Sequence, residues 1–251
     1  MYDAPAYIWA LTLVGVAAVP LATSAAIHHG AHRAGLLGWR APLIAIASVV
    51  LFGGWFVASG VIAGHGGYHA QLGHGVPWLP VVVVSFLAVL LLLSRIPTVA
   101  RTLAAPGTTS RLIHPHSFRV TGVVFLILMA QGHLPALFAL PAGLGDIAVG
   151  IAAPRVARRL AEGTGRRAAL GFNALGITDL LVAMILGAII GYQLISVGPS
   201  GAPISELPLA LIPSAEVPLL LAVHITSIIA LRKTSPSQVQ SQAIRQPAAA
   251  R

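Results

Sequence analysis

Apolar stretches of about twenty residues recur along this chain, and almost all of its charges fall between them. As a helix rising about 1.5 Å per residue, such a stretch crosses the roughly 30 Å of bilayer hydrocarbon. Inside lipid the backbone must satisfy itself as helix or closed barrel. Barrel strands would give short alternating segments, whereas these runs are long and continuous. The expected fold is therefore all-α, a polytopic transmembrane helical bundle. Only 8% of the 251 residues are charged, too few to solvate a water-facing domain of that size. The frequent Gly and Pro suit membrane helices.

Seven spans satisfy hydropathy and charge together: Tyr7 to Ile27, Ala41 to Gly64, Trp78 to Leu93, Phe118 to Gln131, Pro135 to Ala153, Ala168 to Ile195, and Leu207 to Leu231. The loops between them alternate. Arg33 and Arg40 occupy the first, Arg95, Arg101 and Arg111 the third, and Arg155, Arg158, Arg159, Arg166 and Arg167 the fifth, while the intervening loops have no Lys or Arg. Arg119 is placed at the start of the fourth span. All fifteen Lys and Arg then share one face with the C-terminus, and the positive-inside rule puts the N-terminus outside and the C-terminus in the cytoplasm. A tight turn at Gly132-His133-Leu134-Pro135 is needed. Without that reversal there would be six spans, and the five-Arg loop would face outward against the charge rule.

The net charge of +9 reads as topology signals facing anionic lipid, with the bilayer as partner and no nucleic acid. The first apolar run lacks the basic leader of a signal peptide and is read as an uncleaved span, in a plasma or bacterial inner membrane. The chain divides into a single helical domain, 1–233, and a Ser-, Gln-, Pro- and Ala-rich cytoplasmic tail, 234–251, expected to be disordered. With no Cys, disulfides and thiolate chemistry are excluded.

Three acidic residues sit where they are costly. Asp146, Asp179 and Glu216 lie nine to eleven residues into the fifth, sixth and seventh spans, so all three fall near mid-depth. A carboxyl there costs roughly 2.5–3.5 kcal/mol, faces the bundle interior and needs a proton or a partner. On the span boundaries above, no Lys or Arg reaches that depth, and the candidate neighbours are Asn173, Gln131, Thr178, Ser214 and His224. The expected site is a proton- or cation-binding pocket formed by Asp146, Asp179, Glu216, His224 and Asn173. The bland reading of the same carboxyls is interhelical packing glue.

Pro135, Pro141, Gly143 and Gly145 precede Asp146, and Pro208, Pro213 and Pro218 surround Glu216. Both segments are expected to kink or unwind, as discontinuous helices do at ion sites. Gly145-Asp146 and Thr178-Asp179 begin a short similarity between spans of opposite direction. Gly60 and Gly64, and Gly187 and Gly191, have the spacing of close helix contacts.

Ten His divide into an outer set (His65, His69, His74 and His133), an inner set (His28, His29, His32, His114 and His116), and His224 alone within a span. The outer set is the candidate Zn or Cu site, with i,i+4 spacing between His65 and His69; no other cofactor is expected. The inner set is separated from the outer by the bilayer, which disfavours a di-iron site. A bis-His haem lacks a second buried imidazole.

The run from His114 to Pro154, then Gly171 to Leu180, then Leu211-Ile212-Pro213 through Val217-Pro218 to His224, resembles a group of uncharacterised bacterial multi-pass membrane proteins. The resemblance covers the C-terminal half and implies no activity. A seven-span layout is also similar to rhodopsins, but the single Lys, Lys233, stands at the end of the last span, where a retinal Schiff base has no use for it. The leading expectation is a small proton- or cation-coupled transporter or permease, not an enzyme, moving a small ion or molecule and free to form homo-oligomers. The competing expectation is a non-catalytic sensor or assembly scaffold, and a third is a metal- or haem-dependent redox protein.

Overall fold

The computed structural model describes residues 3–36, 38–69 and 77–233. The proposed tail and His74 lie outside these residues. Among them there is helix and no strand. Helices α1 (Ala6–Arg33), α2 (Arg40–Gly64) and α3 (Trp78–Leu93) are followed by two short ones, α4 (Pro97–Ala104) and α5 (Thr108–Ile113). A 3-10 segment, His114–Gly122, continues α5 into α6 (Val123–Ala130), and α7 (Ala136–Ala161) and α8 (Arg166–Gly191) come next. A π-helical turn, Ile212–Glu216, opens α9 (Val217–Lys233). Six helical runs are long and apolar enough to cross a membrane, and α3 with α4, bent by 85°, makes up to seven.

The reversal at Gly132 is real. The His133 N–H bonds the Leu128 carbonyl at 2.8 Å and the Gly132 N–H bonds that of Met129 at 2.9 Å, the Schellman pattern that closes a helix. It needs a left-handed residue, and Gly132 supplies it at φ +76°. Phe125 and Phe138 then meet edge to face at 5.2 Å, which packs α6 antiparallel against α7.

The run Ile212–Lys233 is the hub, with 72% of its apolar window buried, against 11% for α2. Leu219, Leu220, Leu221 and Val223 pack with Phe52, Phe86, Leu90 and Leu180 around it. Large apolar side chains such as Val50, Val57, Val84, Leu92, Leu175 and Ile185 point outward. The molecule is greasy outside and ionic inside, the reverse of a water-soluble domain.

Two expectations about helix breaks resolve differently. In α7 the helix runs from Ala136 to Ala161 past Gly145 and past Pro141, which has no N–H for the Leu137 carbonyl, so the segment ahead of Asp146 does not unwind. In the last span the helix does change, into the π turn ending at Glu216.

Candidate functional site

Arg119 is the residue that the span boundaries misplaced. The fourth helical run begins at Thr108 and ends at Ala130, so Arg119 stands midway along it. The 3-10 geometry from His114 to Gly122 decides where it points. With three residues per turn, positions i and i+3 are eclipsed, so His116, Arg119 and Gly122 form one line, and all three are buried. Arg119 is only 2% exposed.

Its guanidinium bridges two of the expected carboxylates. The Nε donates to Asp146 Oδ1 at 2.7 Å, and Nη2 donates to Asp179 Oδ2. The expectation that no cation reaches this depth is therefore corrected: Arg119 supplies one, and it does not sit at the basic end of the bundle. Nη1 has no hydrogen-bond partner among the described residues. Glu216, 5% exposed, lies within electrostatic reach of Asp146 and Arg119. One guanidinium thus faces three carboxyls. With all of them ionised the cluster carries a surplus of negative charge, which an apolar interior tolerates only when protons or cations offset it.

Glycines let the helices close around this cluster. A Cβ on Gly122 would fall 2.5 Å from the Asp146 Cβ, and one on Gly15 would fall 2.6 Å from Thr121 Oγ1 and 3.5 Å from Glu216 Oε2. A Cβ on Gly145 would coincide with the Asp179 carboxylate. The glycines expected to make close contacts do less: Gly60, Gly64 and Gly187 have only ordinary neighbours at 3.5–3.9 Å, and Gly191 has none within 4 Å.

The π turn has its own support. Pro218 has no N–H, so the Ser214 carbonyl four residues earlier loses its ordinary helical donor. The Trp55 indole N–H donates to that carbonyl instead, at 3.0 Å. Ser59 Oγ lies 2.5 Å from Ser214 Oγ and 3.0 Å from the Tyr68 hydroxyl. Burial holds the Tyr68 phenol above its ordinary pKa, so it stays a neutral donor. Trp55→Phe is expected to lower stability by about 1–3 kcal/mol, the cost of a buried unpaired carbonyl, measured by thermal unfolding in detergent.

A cavity of about 80 Å³ reaches Asp146 past Phe125, Phe138 and Met184, with Tyr68, Tyr192 and Ser205 also lining it. Those last three belong to the end of the bundle opposite Arg33, Arg166 and Lys233. Asp179 and Glu216 do not line it.

His224 and Asn173 form a separate cluster from the carboxylates. His224 Nδ1 lies 2.8 Å from Asn173 Oδ1, and the His224 ring stacks on His116 with centroids 3.8 Å apart and planes at 18°. His116, assigned from sequence to the inner loop, is fully buried. The second buried imidazole that a haem reading lacked therefore exists, but direct stacking leaves no room for a porphyrin between the rings. Of the outer set, His69 faces Glu206 at 3.7 Å. Among the described residues no three His, Asp or Glu are placed to hold a metal, and His74, the fourth member of the candidate Zn or Cu set, lies outside them.

No curated protein and no solved structure matches the chain. One family model does, over residues 76–232, which takes in Arg119, Asp146, Asp179, Glu216, His116 and His224. The chain belongs to the family described as a domain of unknown function, DUF8737.

Proposed function

We propose that the protein is a multi-pass membrane transporter or permease, coupled to protons or small cations, with Asp146 and Asp179 on Arg119 as its central site. The observation that carries this reading is a buried guanidinium bridging two carboxylates halfway along apolar helices, with a cavity reaching one of them. Ionisable groups at that depth are functional candidates by default, because packing alone does not require their cost. A proton or cation arriving at Asp146 competes with Arg119 for the carboxylate. Neutralising Asp146 frees Arg119 Nε, leaves the guanidinium on Asp179, and so gives the bundle two charge arrangements to alternate between. The basic residues at one end argue for a plasma membrane, N-terminus outside.

In proteoliposomes, the protein is expected to dissipate a pH or cation gradient. Asp146→Asn and Asp179→Asn should each reduce that flux at least tenfold, and both should remain folded because Arg119 keeps one carboxylate. If the parent protein moves protons, sodium and potassium no faster than empty liposomes, the transport reading fails. A tightly co-purifying partner would then favour the sensor or scaffold reading.

A further inference from the structure

We infer that the stacked imidazoles of His116 and His224 are a second proton-binding station, which takes its proton from Asp179. The inference rests on the transport reading and extends the ion path beyond the carboxylates.

The tautomer of His224 follows from its neighbours. Asn173 Nδ2 donates to the Ala169 carbonyl at 2.7 Å, which fixes the amide, so Oδ1 is the atom facing His224 Nδ1. Only an Nδ1–H can satisfy that contact. His224 Nε2 therefore carries a bare lone pair, and it has no hydrogen-bond partner among the described residues. Neither ring nitrogen of His116 has one either. Three orphaned nitrogens on two fully buried rings are unusual in a packed interior and suit a group whose protonation state changes.

Position links the pair to the ion cluster twice. His116 lies one 3-10 turn before Arg119 on the same line. On α8, the His224 ring edge occupies the space where a Gly176 Cβ would be, and Gly176 is one helical turn before Asp179. The elements packed around the pair carry Arg119 on the 3-10 segment, Asp146 on α7, Asp179 on α8 and Glu216 two turns earlier on the central run, while Asn173 and Phe172 of α8 are its uncharged neighbours. Arg119 acts electrostatically on both rings.

The transfer breaks the O–H bond of a protonated Asp179 and forms an N–H bond at His224 Nε2, across the helical turn that separates Asp179 from Gly176. It leaves a carboxylate on Arg119 and an imidazolium lying against the His116 ring. The pair takes one proton, since two stacked imidazoliums would repel. Arg119 opposes a charge on the rings unless Asp146 and Asp179 are ionised, so proton occupancy alternates between the carboxylates and the imidazoles.

The test is solid-state NMR of ¹⁵N-histidine-labelled protein in lipid bilayers, following the His224 Nε2 signal assigned through its Asn173 contact. On acidification from pH 8 to pH 4 that signal is expected to convert from bare nitrogen to N–H. In Asp179→Asn, which leaves Arg119 less compensated, the proton affinity should fall at least tenfold. A His224 Nε2 that stays bare down to pH 4 overturns the proposal, and so does a titration unmoved by Asp179→Asn. The His116→Phe variant keeps the ring stack and checks that His224 alone still responds to Asp179; no response overturns the link. The titration can be read even if the protein moves no ions, so failure of transport and failure of the station are distinct results.

Discussion

Arg119→Met should cost about 3–5 kcal/mol of stability, the range for removing one partner of a buried ion pair. Expression in folded form, or a fall in the detergent unfolding midpoint, is the measure. Methionine fills much of the same space, so the loss is electrostatic: Asp146 loses its 2.7 Å bond to Nε and Asp179 its bond to Nη2. The two carboxyls would then face each other in an apolar interior with no cation between them. The triple variant, Arg119→Met with Asp146→Asn and Asp179→Asn, removes the charges along with the partner and is expected to recover most of that stability, because a neutral polar cluster avoids the desolvation of unpaired ions. It should recover no transport. A residue present only for packing would behave the opposite way, with a mild single variant and a triple variant that adds further damage.

Gly145→Ala is the second large effect. Its methyl would occupy the place of an Asp179 carboxylate oxygen, so either the carboxylate leaves Arg119 or α7 and α8 move apart. Overpacking costs about 1–3 kcal/mol, and losing a hydrogen bond to a charged group adds about 1.5–3 kcal/mol. Gly171→Ala is the matched control on α8. Nothing lies within 4 Å of the Cβ it would add, and replacing a mid-helix glycine should stabilise by up to about 1 kcal/mol. Equal behaviour of the two variants, read from unfolding midpoints, would mean that α7 and α8 do not approach as described.

What the residues disclosed and what they hid have physical causes. The helices that begin near Ala6, Arg40, Trp78 and Arg166 were readable because an unbroken apolar run marks each, whereas the fourth and fifth were drawn short; the reversal at Gly132 was readable because a Gly and a Pro three residues apart close one helix and open the next. Asp146 and Asp179 stood out because a carboxyl at such depth needs a reason. Arg119 escaped because basic residues ordinarily mark helix ends, and beginning the span at Phe118 put it there. The overlooked signal was the spacing of three in His116, Arg119 and Gly122 behind Pro115, which places an imidazole, a guanidinium and a gap on one line if the backbone is 3-10. The glycines before Asp146 invited a reading as helix breakers. Gly143 instead meets Leu126, and Gly145 meets Asp179, so their missing side chains serve close approach while the helix continues. The Trp55 bond to Ser214 joins residues 159 positions apart, a separation at which nothing local in the sequence announces a contact.

The existence of the ionic cluster can be measured without any knowledge of substrate. The chain has three aspartates, Asp3, Asp146 and Asp179, so protein labelled with ¹⁵N-arginine and with ¹³C at the aspartate carboxyl gives few possible contacts. Dipolar recoupling in lipid bilayers is expected to show two carboxyl carbons in direct contact with one guanidinium, one through Nε and one through Nη2, with both signals absent in Arg119→Met with Asp146→Asn and Asp179→Asn. A folded protein whose aspartate carboxyls show no contact with any arginine nitrogen would contradict the central site.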